Sequence, residues 1–143
     1  MPAFRERLFP APWVFIATAL VIPAMIIVFL PIAAWLGVAI AAALYGTIVV
    51  ALLATTPTIE VDADEFRAGQ ARLPRAVVGE VEPYRGDEAS LERGRLLDAR
   101  AWLLIRGWIS PVVKVRLVDP DDPTPYWLVS TRRPEELVAA LRD

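Results

Sequence analysis

The sequence contains no cysteine and no histidine. Without cysteine the chain has no disulfide, no thiol chemistry and no cysteine-based zinc site. Without histidine it also lacks the side chain that most often serves as a general base. These two absences exclude many hydrolytic active sites and zinc sites. The lack of cysteine is also compatible with a cytoplasmic location.

Charge is absent from one long stretch of the chain. No Asp, Glu, Lys or Arg occurs between Arg7 and Glu60, a run of 52 residues that are almost all apolar. One membrane crossing needs about 20 apolar residues in a helix. The stretch therefore predicts a two-span transmembrane hairpin over residues 13–54.

Prolines divide this apolar stretch. The first span is predicted from Trp13 to about Leu30, with a kink at Pro23, which cannot donate a hydrogen bond to the carbonyl of Ala19. Pro31 marks the turn. The second span is predicted over residues 34–54, before Pro57. A cleaved signal peptide is disfavoured, because the apolar stretch exceeds the ~7–15 residues of such a segment and no A-x-A-like site ends it.

The distribution of arginine predicts the topology. Arg5 and Arg7 precede the first span, and Arg67, Arg72 and Arg75 follow the second, whereas the turn has no basic residue. Positively charged flanks stay in the cytoplasm. The protein is therefore expected in the plasma (inner) membrane of a bacterium, with two spans and both termini cytoplasmic.

Small residues suggest how the second span packs. Gly37, Ala41 and Tyr45 share one stripe of a helix, and Ala42 and Gly46 lie on an adjoining one. The favoured interpretation is packing against the first span of the same chain, and the alternative is a homodimer seam. No charged residue lies within either span, which argues against a channel or transporter built from this chain alone.

Residues 58–143 are patterned as a small mainly β domain, and residues 1–12 are expected to be a cytoplasmic N-terminal segment. Alternation of apolar and polar residues predicts strands at 59–61, 65–68, 71–73, 76–82, 100–108, 112–119 and 126–131. Residues 87–97 form a loop or a short helix. Residues 134–142 form an amphipathic helix with proline and glutamates in its first turn. The predicted fold class is a membrane α-helical hairpin plus an α+β domain, an antiparallel barrel or bent sheet with one C-terminal helix.

Several short motifs resemble a known family. They are Ile59-Glu60-Val61-Asp62, Arg67-Ala68-Gly69, Ala71-Arg72-Leu73-Pro74, Gly79-Glu80-Val81, and Pro-Tyr-Trp-Leu-Val-Ser-Thr-Arg-Arg-Pro-Glu-Glu-Leu at residues 125–137. They are similar to an uncharacterised bacterial membrane protein family, domain of unknown function 3093, over nearly the whole chain. The strand order also resembles bacterial pleckstrin-homology-like (PH-like) domains. The resemblance implies an architecture rather than an activity.

Basic and aromatic residues supply the candidate contacts with a lipid or a partner. The set is Arg106, Trp108, Lys114, Arg116, Arg132 and Arg133. Arg106, Lys114 and Arg116 are expected on one outward face of a sheet, where anionic lipid headgroups would attract them. The alternative is a solvated face paired with carboxylates, because residues 60–143 carry a net charge of −3. The segment Trp108–Val112 either dips into the bilayer interface or belongs to the core.

The remaining chemistry-bearing residues fit ordinary structural roles. Asp62, Asp64 and Glu65, like Asp119, Asp121 and Asp122, coincide with turns that favour aspartate, although oxygen-rich turns can also bind calcium. Trp102, Tyr126 and Trp127 are expected to be core or barrel-rim aromatics. No catalytic residue, cofactor or metal is predicted, and no nucleic-acid partner, since the domain lacks a basic excess.

The favoured function is a non-enzymatic adaptor, scaffold or lipid-contacting module on the cytoplasmic membrane face. Its partners would be the lipid bilayer, anionic headgroups and a membrane protein, and it could form homo-oligomers. The alternative is a small accessory subunit of a membrane transporter or cell-envelope enzyme.

Overall fold

The computed structural model describes residues 2–143, which divide into two compact units. Residues Phe9–Thr56 form a helical unit, called here the helical hairpin. Residues 2–8 and Pro57–Asp143 together form a second unit, called here the β domain. The N-terminal segment thus belongs to the same unit as the C-terminal region of the chain.

The helical hairpin contains three helices. They are α1 (Pro12–Thr18), α2 (Val21–Phe29) and α3 (Ala34–Ala54). Only two residues separate α1 from α2, so Pro12–Phe29 makes one segment of 18 residues, and α3 has 21. Both segments are long and apolar enough to cross a membrane. The predicted division into two helical segments with a turn around Pro31 is confirmed.

Pro23 causes the interruption between α1 and α2. Pro23 has no N–H, and its ring conflicts with the carbonyl four residues earlier, that of Ala19. That carbonyl instead accepts a hydrogen bond from the N–H of Ile22 at 3.0 Å. The kink predicted from Pro23 is confirmed and lies one turn before the proline.

The predicted small-residue stripe holds α3 against the first segment of the same chain. A Cβ on Gly37 would lie 3.0 Å from the Cα of Ile26, closer than an ordinary van der Waals contact, so glycine favours this approach. Ala41 is 1% exposed. The Tyr45 hydroxyl donates to the carbonyl of Phe15 at 3.1 Å. The intrachain interpretation is confirmed for this stripe but not for the adjoining pair, since Ala42 and Gly46 are exposed and no atom lies within 4 Å of a Cβ added to Gly46.

The first sheet of the β domain is antiparallel throughout, in the order β1-β2-β3-β4. Its strands are β1 (Phe4–Arg7), β2 (Thr58–Val61), β3 (Glu65–Ala68) and β4 (Ala71–Pro74). Three of them match the predicted strands closely. β1 was not foreseen, because residues 1–12 were expected to form a separate segment. It pairs with β2 in a register that sets Arg7 opposite Thr58.

The second sheet has the order β5-β7-β8-β6. Its strands are β5 (Val78–Tyr84), β6 (Trp102–Leu104), β7 (Val112–Leu117) and β8 (Tyr126–Ser130). A 3₁₀ turn at Arg75–Val77 connects β4 to β5. Because β6 pairs with β8 in parallel, the expectation of a purely antiparallel sheet is wrong at this edge.

Two helices complete the β domain. The charged segment 87–97 forms a short helix, α4 (Gly86–Arg93), and the C-terminal helix α5 (Pro134–Arg142) has its predicted bounds. The predicted strand over residues 100–108 is reduced to the three residues of β6. After Leu104 the chain turns, and the N–H of Ile109 donates to the carbonyl of Arg106 at 3.0 Å.

The second sheet is covered on both faces. On one face the larger core contains Phe66, Val113, Trp127 and Leu137, which come from both sheets and α5. On the other face a smaller cluster contains Val112, Tyr126 and Leu128 with Ala89 of α4. Trp102 stacks on Trp127 with ring centroids 4.4 Å apart. The expectation of core aromatics is confirmed for Tyr126 and Trp127, which are 4% and 6% exposed.

Candidate membrane-facing site

Lys114 does not lie on an open sheet face. It is on the central strand β7 beneath α4, and its side chain is 11% exposed. Its Nζ lies 3.1 Å from a carboxylate oxygen of Glu92, which is itself buried, and 4.5 Å from the ring centroid of Tyr126. The predicted outward placement fails for this residue because α4 covers the face, so Lys114 is not available to a lipid headgroup.

Arg116 is exposed as expected, but carboxylates of the neighbouring strand balance its charge. Its Nε lies 3.7 Å from Glu82 and 4.0 Å from Glu80. The Tyr84 hydroxyl donates to Glu82, and this hydrogen bond, with the charge of Arg116, lowers the pKa of Glu82. Burial and the same hydrogen bond raise the pKa of Tyr84. This part of the face matches the alternative of a paired, solvated surface.

Arg133 joins α5 to β1. It donates to the carboxylate of Glu136 at 3.0 Å and to the main-chain carbonyl of Arg5. Its guanidinium also lies 4.7 Å from the ring centroid of Phe4. These contacts give Arg133 a structural role within the β domain.

A buried carboxylate that sequence reasoning missed ties β1 to the connection between β8 and α5. Glu6 is 8% exposed. It accepts hydrogen bonds from the hydroxyl of Thr131 and, at 3.0 Å, from the N–H of Arg132. Leaving such a buried group without partners costs about 1–3 kcal/mol. Within the short sequence Arg5-Glu6-Arg7, nothing marks Glu6 as the residue that points inward.

Arg106 and Trp108 lie in the loop after β6, residues 105–110, called here the Trp108 loop. The Arg106 N–H donates to the Ser130 hydroxyl at 3.1 Å, and its guanidinium donates to the carbonyl of Ile105 at 3.0 Å. Trp108 is half-buried against the larger core. Ile109 is 2% exposed and Val112 is fully buried. The core interpretation of Trp108–Val112 is therefore confirmed for its aliphatic residues.

The Trp108 loop begins at the end of the β domain where the chain continues into the helices. The Leu8 N–H donates to the carbonyl of Pro57 at 3.0 Å, so these two chain positions are neighbours. Side-chain atoms of Pro57 and Leu104 each lie 3.8 Å from the position that a Cβ on Gly69 would take. Leu104 leads directly into the loop. We call Leu8, Pro57, Gly69, Leu104 and the Trp108 loop the hairpin-side rim.

The acidic turns lie at the other end of the strands. Asp62 and Asp64 connect β2 to β3 away from Gly69. Arg75 donates its N–H to the carbonyl of Asp64 at 3.0 Å, and two residues later the carbonyl of Val77 accepts from Val118 at 2.9 Å. Val118 begins the β7–β8 turn, which contains Asp119, Asp121 and Asp122. Both acidic turns therefore lie at the same end of the β domain.

These aspartates use their side chains to shape the turn. Asp119 accepts a hydrogen bond from the N–H of Asp121, and Asp122 accepts one from the N–H of Thr124, each at 2.9 Å. Such contacts are the usual reason for aspartate in turns. Within residues 2–143 no group of three or more acidic residues is arranged to hold a metal ion.

Comparison with known proteins gives one match. A family described as "Protein of unknown function (DUF3093)" has a model that matches residues 3–141. The search of curated proteins found no match, and neither did the search of solved structures. The resemblance inferred from the short motifs is confirmed by this match.

Proposed function

The chain belongs to the DUF3093 family, and we propose that it is an integral membrane protein whose two-span hairpin displays the β domain on the cytoplasmic face as an adaptor or scaffold. The PH-like resemblance of this domain is part of the proposal. The observation that supports the two-span hairpin is the pairing of β1 with β2.

The pairing of β1 with β2 supports an even number of crossings. β1 ends immediately before the first helical segment and β2 begins immediately after the second. The position of Arg7 opposite Thr58 in the sheet supports a chain that leaves and returns on the same side of the bilayer. A cleaved leader is also disfavoured, because cleavage after the first segment would remove β1 from the sheet.

The exposure of the helices supports insertion in lipid. Only 6% of Pro12–Phe29 and 11% of an 18-residue window of Ala34–Ala54 is buried within the chain, whereas a core helix of a water-soluble protein is mostly buried. Trp13, Ile16 and Trp35 are more than half exposed. An apolar surface of this extent is stable in a bilayer and is a liability in water.

The hydroxyl groups of the hairpin are satisfied as lipid requires. Within Phe9–Thr56 the side chains that carry a hydroxyl are Thr18, Tyr45, Thr47, Thr55 and Thr56. Each donates to a main-chain carbonyl of the same unit, at distances from 2.6 to 3.1 Å. Hydrocarbon offers no water as an alternative partner. The arrangement therefore supports a location inside the membrane.

The charge distribution of the β domain supports an orientation with the rim toward an anionic surface. The arginines at or beside the hairpin-side rim are Arg7, Arg106 and Arg132. The two acidic turns lie at the opposite end, so the net charge of −3 for residues 60–143 does not describe the rim. Each basic residue close to an anionic membrane surface gains about 1 kcal/mol.

The absence of cysteine allows a direct test of topology. Single variants Ile32→Cys, in the turn between α2 and α3, and Ser90→Cys, on exposed α4, are treated in intact cells with a membrane-impermeant maleimide. We expect labelling of Ile32→Cys from outside, and labelling of Ser90→Cys only after the membrane is permeabilised. Labelling of Ser90→Cys in intact cells, or release of the protein from membranes by alkaline carbonate, would overturn the proposal.

Purification in mild detergent then tests the role of adaptor. A protein that is stable without a partner and binds partners reversibly would support the role of adaptor. A protein that aggregates unless one membrane protein co-purifies in fixed stoichiometry would instead favour the accessory-subunit alternative.

A further inference from the structure

Trp108 has a side-chain donor that the fold does not use. Within residues 2–143, its indole Nε1 is the buried side-chain polar atom without a hydrogen-bond partner. The ring itself is only half-buried and packs on the outside of the larger core. Buried polar groups nearly always have partners, so an unpaired donor needs an explanation. An indole in this position would gain a hydrogen bond by turning outward.

The residues before Trp108 carry a charge that no carboxylate balances. Among residues 2–143, no carboxylate lies within 4.0 Å of the Arg106 guanidinium, whereas Arg116 on β7 has two. Gly107 has no atom within 4 Å of the position where a Cβ would stand, so the tip of the loop is unpacked. The Trp108 loop therefore presents a cation without a carboxylate partner beside an indole with an unpaired donor, while Ile109 holds the end of the loop in the core.

The covalent chain ties one residue of the hairpin-side rim to the second helical segment. The hairpin-side rim includes Pro57, which is three residues beyond the end of α3 at Ala54. Three or four extended residues reach about 10–14 Å. The polar layer on each side of the hydrocarbon is roughly 5–8 Å thick. A rim so tethered is within reach of the headgroups of the bilayer that holds the helices.

We infer that the Trp108 loop is an interfacial anchor whose partner is the headgroup layer of that bilayer. This inference rests on the proposed membrane insertion. Trp108 turns its ring outward and donates its N–H to the ester and phosphate oxygens of lipids, where indoles are enriched. Arg106 binds lipid phosphates, which match its planar array of donors. The anchor fixes the orientation of the β domain relative to the membrane surface.

The distribution of the five tryptophans allows a test on the full chain in vesicles. Trp13 and Trp35 lie on the hairpin and are 58% and 73% exposed, so phenylalanine should be tolerated there. The first protein is the wild type. The second carries Trp13→Phe and Trp35→Phe, and the third adds Trp108→Phe. Trp102 and Trp127 remain in all three as the core reference. The probe is phosphatidylglycerol–phosphatidylcholine vesicles whose lipids carry bromine, a quencher of tryptophan, either near the headgroup or near the chain end.

The three proteins separate the two claims. Stronger quenching of the wild type than of the second protein would show that Trp13 and Trp35 of the hairpin contact the lipid. We expect headgroup-proximal bromine to quench the second protein as well, and Trp108→Phe to abolish that quenching. Equal quenching of the second and third proteins would overturn the anchor while leaving the hairpin intact, and would favour a protein partner for the loop. Equal quenching of the wild type and the second protein would overturn the proposed membrane insertion itself.

A matched pair of charge variants tests the role of Arg106. In the second protein, Arg106→Gln should reduce the quenching of Trp108 in vesicles that contain phosphatidylglycerol, and should have less effect in pure phosphatidylcholine. Arg116→Gln is the control, because its charge is already balanced by Glu80 and Glu82. Equal effects of the two substitutions would show that Arg106 does not contribute specifically to the anchor.

Discussion

The helical hairpin and the β domain satisfy their polar groups in different ways. The hairpin has no charged side chain, and its hydroxyls donate to carbonyls of its own helices, mostly four residues back. The β domain instead buries charged groups, Glu6, Glu92 and Lys114, each with a partner distant in sequence. Local hydrogen bonds suit a segment that is proposed to meet lipid on most sides. Polar contacts between residues distant in sequence suit a domain whose parts must be joined.

The two units also differ in how their helices pack. Where α3 meets α2, glycine brings two backbones together, and shape decides the fit. Between α4 and the second sheet the only fully buried apolar residue of the helix is Ala89, and the Glu92–Lys114 pair supplies the other buried contact. The hairpin should therefore be sensitive to added volume, and α4 should be sensitive to lost charge.

The largest expected effect comes from removing one charge of the buried pair. Glu92→Gln leaves Lys114 charged and largely shielded from water, which typically costs about 3–5 kcal/mol. We expect a corresponding loss in the free energy of unfolding of the β domain and faster hydrogen exchange in α4. Chemical denaturation of the full chain in detergent, followed by mass-resolved hydrogen exchange, would measure both.

Two variants serve as controls for the buried pair. The double variant Glu92→Leu with Lys114→Leu should recover most of the stability, because no charge is then buried alone. Arg116→Gln, on the exposed end of the same strand, should cost about 0–1 kcal/mol. An equal loss for Glu92→Gln and Arg116→Gln would show that the pair under α4 is not the contact that holds it.

A smaller effect is expected in the hairpin, where two glycines of α3 can be compared. Gly37→Ala would place a Cβ 3.0 Å from the Cα of Ile26, and overpacking of this kind costs about 1–3 kcal/mol. At Gly46 no atom lies within 4 Å of the added Cβ. Gly46→Ala should therefore be neutral or stabilising by up to about 1 kcal/mol. Unfolding of the helices by SDS titration would measure the two changes. Changes of the same sign would contradict the assigned packing face.

The elements that could be predicted from the sequence are those with local causes. The bounds of α3 and α5 follow from proline and from apolar patterning, and the kink follows from the missing N–H of Pro23. The close fit of Gly37 against the first segment also agrees with its small-residue stripe. Each of these depends on residues within a few turns of a single helix.

What could not be predicted depends on partners distant in the sequence. β1 is four residues long and becomes a strand because β2, beyond the helices, pairs with it. Lys114 alternates with valines, which predicts an outward position, but α4 covers that face. Of the six candidate contact residues, Arg106, Trp108 and Arg132 lie at or beside the hairpin-side rim, whereas Lys114, Arg116 and Arg133 have partners within the domain. Spacing along one strand cannot reveal what lies above it.

The smallest effect should come from an exposed ion pair that links the start of α4 to α5. Arg85 donates twice to the carboxylate of Glu135, at 2.8 and 2.7 Å, and these bonds lower the pKa of Glu135 from 4.5 to about 2. Because the folded-state pKa is depressed, the pair stabilises the fold above pH 4.5, and this contribution is lost as the pH falls toward 2. Arg85→Gln should return the pKa of Glu135 toward 4.5 with little change in stability at neutral pH. An NMR titration of the Glu135 carboxyl carbon would measure the shift, with Glu136 as the internal control. An unchanged pKa in Arg85→Gln would mean that the first turn of α5 and its positive dipole, rather than Arg85, stabilise the carboxylate.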